Sequence, residues 1–300
     1  RPGRVGLGYL LNNQGCVKAE ATLANLPASD RGPNRSWYGS AAAAELHDMD
    51  WLRAHTKPQE DVHLRSLTND QTILTLAGPK ARDILSACAR GDWSAQAFPW
   101  LSVRECFVGI APATIMGVSF SGELAYEIHV PNASLYAAYL ALRDAGAPFD
   151  LRLFGARAVE SMRMEKGFLH WKSEIITEFD PFETGLDRFV KLNKGDFAGR
   201  DALLIRGAEP PRRQLVTLEI SAQNRPAHGG ASLMDAEQIV GTITSGEWGH
   251  RTGLNLAMAF VKPEYSAVGS EMMLDACGDL VKATVIEPCS FDPSGSRMRS

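Results

Sequence analysis

At 300 residues, with 45% hydrophobic and 22% charged side chains, the chain has the make-up of a globular protein with room for two or three cores. A net charge of −4, from 31 basic and 35 acidic residues with no long basic run, excludes an electrostatic footprint for nucleic acid. No apolar run approaches the roughly 20 residues that span a bilayer, and the five scattered cysteines form no Cys-x-x-Cys pair, which argues against membrane insertion, a disulfide framework and a structural zinc, and for a reducing compartment.

Val5 to Tyr9 alternates like a strand, the turn Asn12-Asn13-Gln14-Gly15 follows, and Val17 to Leu23 alternates again, so the chain begins inside a predicted hairpin. The expectation is that the chain is a fragment whose domain starts upstream. SWYGSAAAAELHDMDWLRAHT predicts a strand turning into a helix whose apolar face is closed by Trp51 and Leu52. In LTNDQTILTLAGPKARDILSAC the order repeats, with a strand over Ile73 to Leu76, the breaker Gly78-Pro79, and a helix carrying Ala81, Ile84 and Leu85 on one face. Strands and helices alternate, which predicts a mixed α and β domain.

SFSGELAYEIHV predicts a turn at Ser121-Gly122 and then a strand with Tyr126, Ile128 and Val130 on one face and Glu127 on the other. FGARAVESMRMEKGFLHW predicts a helix between Gly155 and Gly167, with Arg157 in its first turn, where the helix dipole disfavours a cation unless an anion is near. A partner acid for Arg157 is expected, with Glu160 and the acids of DPFETG as structural candidates. The adjacent prolines of GAEPPRRQ break the pattern and set a boundary near Pro210, dividing the chain into domains 1–208 and 209–300. Beyond it, LVTLEIS, IVGTITSG, LAMAFV and DLVKATVIE are short strands separated by turn residues, the pattern of a small antiparallel barrel or sandwich.

Several clusters are excluded. Adjacent side chains of His47-Asp48-Met49-Asp50 diverge on a helix, and with no second cluster at ligand spacing no metal site is expected. His228 and His250 have no acid or nucleophile beside them, and no Gly-x-Ser-x-Gly occurs, which rules out a hydrolase elbow. Gly6-Leu7-Gly8-Tyr9-Leu10-Leu11 lacks the third glycine and leads into a hairpin, so the chain does not bind FAD through a dinucleotide fingerprint.

The blocks GRVGLGYLLNNQGCVKAE, LAGPKARDIL, SFSGELAYEIHV, GARAVESMRMEKG, DPFETGLDRFV and VGTITSGEWG through EPCSFDP together resemble the aminomethyltransferase fold of the glycine-cleavage T-protein, and most closely the carboxy-terminal folate half of dimethylglycine and sarcosine dehydrogenases. The resemblance implies an α+β fold in which mixed α/β folate-binding domains form a cloverleaf, followed by a small antiparallel β-barrel. It implies a tetrahydrofolate-dependent transferase of one-carbon units, taking an aminomethyl or methylene group from an N-methylated amine or its iminium. FAD would enter only through a missing domain or another subunit, a flavin-binding domain or subunit being the expected partner. The compartment implied is the cytoplasm, or the mitochondrial matrix in a eukaryote. A free-standing glycine-cleavage aminomethyltransferase and a non-catalytic folate-binding scaffold are the alternatives; scaffold relatives carry a reactive-cysteine motif in the linking region, where this chain has EKGFLHWKSE.

Residue by residue, the resemblance implies that Glu20, after the turn, stands beside the reactive folate nitrogens, where the T-protein has Asp. It implies that Glu127 of AYE holds the pterin edge and that Arg157 of GAR is a third functional position. Phe120 replaces a tyrosine of several relatives and removes a hydroxyl from the pocket, Tyr126 neighbours Glu127, and Trp171 is expected to shape the pocket wall by stacking. The chemistry suits these types. A pterin presents a ring N–H beside an amine, which one carboxylate can accept as two parallel hydrogen bonds. A nitrogen attacking an iminium becomes cationic and sheds a proton, which a nearby carboxylate can stabilise and take. Arg157 can fork onto a folate carboxylate or hold a site acid ionised, and the sequence leaves that choice open.

Overall fold

The computed structural model describes residues 1–29, 32, 34–223 and 225–300. Its first element is the hairpin β1 (Arg4–Leu11) and β2 (Val17–Leu26). Asn12 makes the turn: its Oδ1 accepts hydrogen bonds from the amides of Gln14 and Cys16, both at 3.0 Å, and Gly15 takes the left-handed φ of 78° that a side chain would resist. β3 (Arg35–Gly39) completes a three-stranded sheet in the order β1-β2-β3.

The chain divides into two units. The first comprises Arg1–Gly8, Ala21–Leu153 and Gly295–Ser300. Within it α1 (Glu45–His55) is followed by β4 (Gln71–Ala77), α2 (Ala81–Cys88), β5 (Val103–Val108), β6 (Ala111–Met116), β7 (Ala125–Pro131) and α3 (Leu135–Gly146). The four later strands form an antiparallel sheet in the order β4-β7-β6-β5. Period-2 alternation in β7 sends Tyr126, Ile128 and Val130 into a core with Ile84 and Leu85 of α2 and Ala138 and Leu142 of α3. The predicted helix face Ala81, Ile84 and Leu85 is buried as its spacing requires. α1 differs from its sequence pattern. Its buried residue is Asp48, while Trp51 and Leu52 are half-buried and Leu46 is largely exposed. Asp48 is held by polar contacts: the Tyr38 hydroxyl donates to Oδ2 at 3.0 Å and His47 Nδ1 lies 2.8 Å from Oδ1.

The second unit comprises Tyr9–Glu20 and Phe154–Ser294. α4 (Ala156–Lys166) and α5 (Arg200–Arg206) precede six strands, β8 (Gln214–Ile220), β9 (Ser232–Asp235), β10 (Gln238–Gly249), β11 (Leu254–Val261), β12 (Glu271–Ala276) and β13 (Asp279–Ile286). They close into an antiparallel barrel in the order β10-β11-β8-β13-β12-β9, the barrel option of the sequence pattern. Inward-facing Val216, Leu218, Leu233, Ala257 and Val285 fill its core. β11 does not alternate in burial, because its outer face is covered too. Leu256 and Met258 pack with Met164 of α4, and Phe260 stacks on Phe179 with ring centroids 3.7 Å apart. β10 extends beyond the apolar run that marks it, through a bulge between Ile243 and Ser245.

Candidate active site

In the second unit the hairpin places Glu20 beside Tyr9. The Tyr9 hydroxyl donates to Glu20 Oε1 at 2.9 Å. The Tyr9 ring packs with Trp171, Phe182 and Val190 against the cluster of Leu11, Val17, Ile175, Leu186 and Leu203, and meets the Phe189 ring edge-on at 5.1 Å. Burial raises the Glu20 pKa above its ordinary value, the Tyr9 hydrogen bond opposing it. Among the described residues no donor other than Tyr9 reaches this carboxylate, and Oε2 is left as an open acceptor. Trp171 therefore shares a cluster with the partner of Glu20, with the Lys172 ammonium 4.7 Å from its ring centroid.

In the first unit Glu127 sits mid-strand in β7, opposite Thr75 of β4 and Met116 of β6. Its side chain is 32% exposed, and its Oε2 lies 3.2 Å from Nε2 of the buried His129. His129 in turn meets Trp37 edge-on at 5.2 Å. Oε1 carries no hydrogen bond among the described residues. Tyr126 points the other way, into the hydrophobic core, where its hydroxyl has no hydrogen-bond partner among the described residues and the Arg82 guanidinium lies 5.9 Å from its ring. Phe120 is 39% exposed in the loop before β7. Glu123, which also precedes that strand, pairs with Arg297 at 3.3 Å.

Arg157 occupies the first turn of α4 as predicted, and the acid beside it is Glu247 of β10, at 3.3 Å. Glu160, a sequence candidate for that role, binds Arg163 instead. The Arg157 side chain is 88% exposed, so its guanidinium keeps donors open to solvent.

Sequence reasoning missed the end of α4. Arg163, Glu165 and Lys166 are all buried. Arg163 donates to Glu160, to the Phe168 carbonyl at 3.1 Å and to the fully buried Glu174 at 3.2 Å. Glu174 Oε1 also accepts from Thr244 and Ser245 of β10, both at 2.6 Å, and its Oε2 from the His170 amide at 2.8 Å. Glu165 accepts from Arg251 and from the Thr252 amide at 2.9 Å, while Lys166 meets Asp292. Four charges in the seven residues from Glu160 to Lys166 read as a solvated face by spacing alone. Tyr9 was missed because a cross-hairpin contact needs a register that no single-strand pattern supplies.

Among the described residues no group of three or more His, Cys, Asp or Glu side chains is placed to hold a metal ion, and no helix is long and apolar enough to cross a membrane.

The GCVT N-terminal domain family matches residues 1–194, and the glycine cleavage T-protein C-terminal barrel domain family matches residues 213–292. Mitochondrial dimethylglycine dehydrogenase of Rattus norvegicus is 31% identical over 301 residues, which is 99% of this chain and 34% of that protein, so the chain spans about a third of the dehydrogenase's length. An aminomethyltransferase of Symbiobacterium thermophilum is 30% identical over 95% of this chain and 76% of its own length. The crystal structure of glycine cleavage system aminomethyltransferase T from Bartonella henselae superposes with a TM-score of 0.85 at 22% identity, covering 98% of this chain and 77% of that one, and shares the fold. With both parts of one family's architecture matched in order along it, this chain belongs to the glycine cleavage T-protein family of aminomethyltransferases.

Proposed function

We propose that the chain binds tetrahydrofolate and catalyses transfer of a one-carbon unit to it from an amine-derived iminium, as the folate-handling part of a dimethylglycine or sarcosine dehydrogenase-like enzyme. The observation that carries the reading is Glu20, a half-buried carboxylate with one oxygen engaged by Tyr9 and the other open. When bound, tetrahydrofolate supplies the secondary nitrogens that accept a carbon at the oxidation level of formaldehyde. Glu20 takes the proton from the attacking nitrogen as the new C–N bond forms, and returns a proton to the amine as the old C–N bond breaks. The second nitrogen's proton leaves to solvent, which closes the balance. Glu127 accepts the paired N–H donors of the pterin edge, and Arg157 offers its open donors to a folate carboxylate.

These hydrogen-bonding groups fit the ligand: two carboxylates with an open acceptor oxygen each, and a guanidinium with open donors. The two-electron oxidation that generates the iminium belongs to a flavin-binding domain or subunit. Alignment of 99% of this chain with dimethylglycine dehydrogenase and of a similar share with sarcosine oxidase subunit alpha of Rhizobium meliloti supports that partner. The five unpaired cysteines agree with a reducing compartment, the cytoplasm or the mitochondrial matrix. A free-standing aminomethyltransferase is the second reading, favoured by the fuller coverage of the Symbiobacterium enzyme.

Titration calorimetry with tetrahydrofolate tests the proposal. The wild-type chain is expected to bind, Glu127→Gln to bind about tenfold more weakly on the scale of a lost charge-assisted hydrogen bond, and Glu20→Gln to keep its affinity while losing methylene transfer. A wild-type chain that binds no tetrahydrofolate would overturn it.

A further inference from the structure

We infer that Tyr9 is a positioning residue for the reaction: its hydroxyl holds Oε1 of Glu20 and leaves Oε2 as the one oxygen presented to the nitrogen that loses its proton. The inference rests on the reading of Glu20 as the proton acceptor. Three observations lead to it. The hydrogen bond is 2.9 Å long, in the normal range for a phenol donating to a carboxylate. The phenol ring is packed against Phe189 and the cluster around Leu186 and Leu203, so the hydroxyl is an anchored donor rather than a swinging one. No second donor among the described residues competes for the carboxylate.

A lone carboxylate on a strand turns about its last torsion, a broad and roughly two-fold one. One anchored donor removes that freedom and fixes which lone pairs point outward, which is the kind of orientation that proton transfer requires. The same bond acts on basicity. A donor to the ionised form favours it, so Tyr9 restrains the rise that burial imposes on Glu20. Tyr9 itself stays neutral at working pH, because burial and the neighbouring Glu20 both raise its pKa. Its role is thus to aim and tune the acid without exchanging a proton.

Tyr9→Phe in the full chain keeps the ring and removes the hydroxyl. Two readouts decide. The 13C titration of the Glu20 carboxyl in the ligand-free chain, identified by its loss in Glu20→Gln, is expected to move to higher pH in Tyr9→Phe. In methylene transfer, kcat is expected to fall about tenfold with KM for tetrahydrofolate within about twofold, its acid limb is expected to move to higher pH, and Tyr9→Phe is expected to add nothing in a Glu20→Gln background. A purely structural tyrosine moves neither titration nor limb. An unchanged titration together with an impaired Glu20→Gln overturns the assignment of Tyr9 and spares that of Glu20; an unimpaired Glu20→Gln overturns both, since nothing is left to position. Should Tyr9→Phe not fold, 3-fluorotyrosine at position 9, a stronger donor of nearly the same shape, is expected to lower the Glu20 titration, and an unchanged value overturns the inference.

Discussion

Burial at Glu20 disfavours the ionised carboxylate more than the Tyr9 hydroxyl favours it, so its pKa stands above the ordinary glutamate value. A folded-state pKa above the unfolded one contributes stability that is fully present below the unfolded value, about 4.3, and is lost as pH rises through the folded value. Glu20→Gln removes that titration. The difference in urea midpoint between variant and wild type is therefore expected to shift in the variant's favour from about pH 4 toward neutrality, by the linkage between proton uptake and unfolding. A difference that stays constant with pH would mean that Glu20 titrates alike in both states. The same raised pKa makes Glu20 a stronger base near neutrality than an exposed glutamate. Glu20 and Glu127 are legible in the sequence as acids on strands, because alternation and turn residues mark the strands. Their surroundings are not. The partners Tyr9 and His129 follow from hairpin register in one case and, in the other, from a histidine buried on the face that a one-sided strand would leave to water.

At the scale of elements, α4 departs furthest from what periodicity prescribes. An amphipathic helix turns its charges outward, yet the last turn of α4 buries Arg163, Glu165 and Lys166, and each meets a partner from another part of the second unit. Gly167 caps the helix in the left-handed conformation, and a Cβ there would run into the Pro288 carbonyl, so the helix end lies flush against the segment after β13. Glycine as the stop signal is legible; the closeness of Pro288 is not. Arg163→Met tests how much the buried network matters. It strands Glu174 at 0% exposure with only neutral donors, and removing one partner of a buried pair costs about 3–5 kcal/mol. Met has similar length and no charge. Urea unfolding is expected to show that loss, and the double variant Arg163→Met, Glu174→Gln is expected to regain more than half of it, because the uncompensated charge is gone. A loss below about 1 kcal/mol, the scale of an exposed pair, would show that solvent reaches this network.

At the scale of the whole molecule, the architecture was the most legible property, since it depends on patterns repeated over many residues. The barrel follows from four short strands punctuated by turn residues, which become β8, β10, β11 and β13, while the short β9 and β12 carry no such mark, and the mixed α and β part follows from strand–breaker–helix repeats such as Ile73 to Leu85. The face of α1 was misread because Asp48, rather than an apolar side chain, is its buried contact. Ligand linkage turns the proposed function into a measurement on the 300-residue chain. A ligand that binds only the native state stabilises it by RT ln(1 + [L]/Kd), about 2.7 kcal/mol at one hundred times Kd. For a chain of this length each kcal/mol is worth about 2 °C, so tetrahydrofolate at that concentration is expected to raise the unfolding temperature by about 5 °C. If Glu127→Gln weakens binding tenfold, the same concentration is only about ten times its Kd, and the shift is expected to halve. Glu20→Gln keeps the full shift if Glu20 acts on the reacting nitrogen rather than on binding. FAD, for which the chain offers no Gly-x-Gly-x-x-Gly turn, is expected to give none. Equal shifts for wild type and Glu127→Gln would remove that carboxylate from pterin recognition while leaving folate binding in place, and a shift with FAD alone would overturn the proposed division of labour between this chain and a separate flavin-binding domain or subunit.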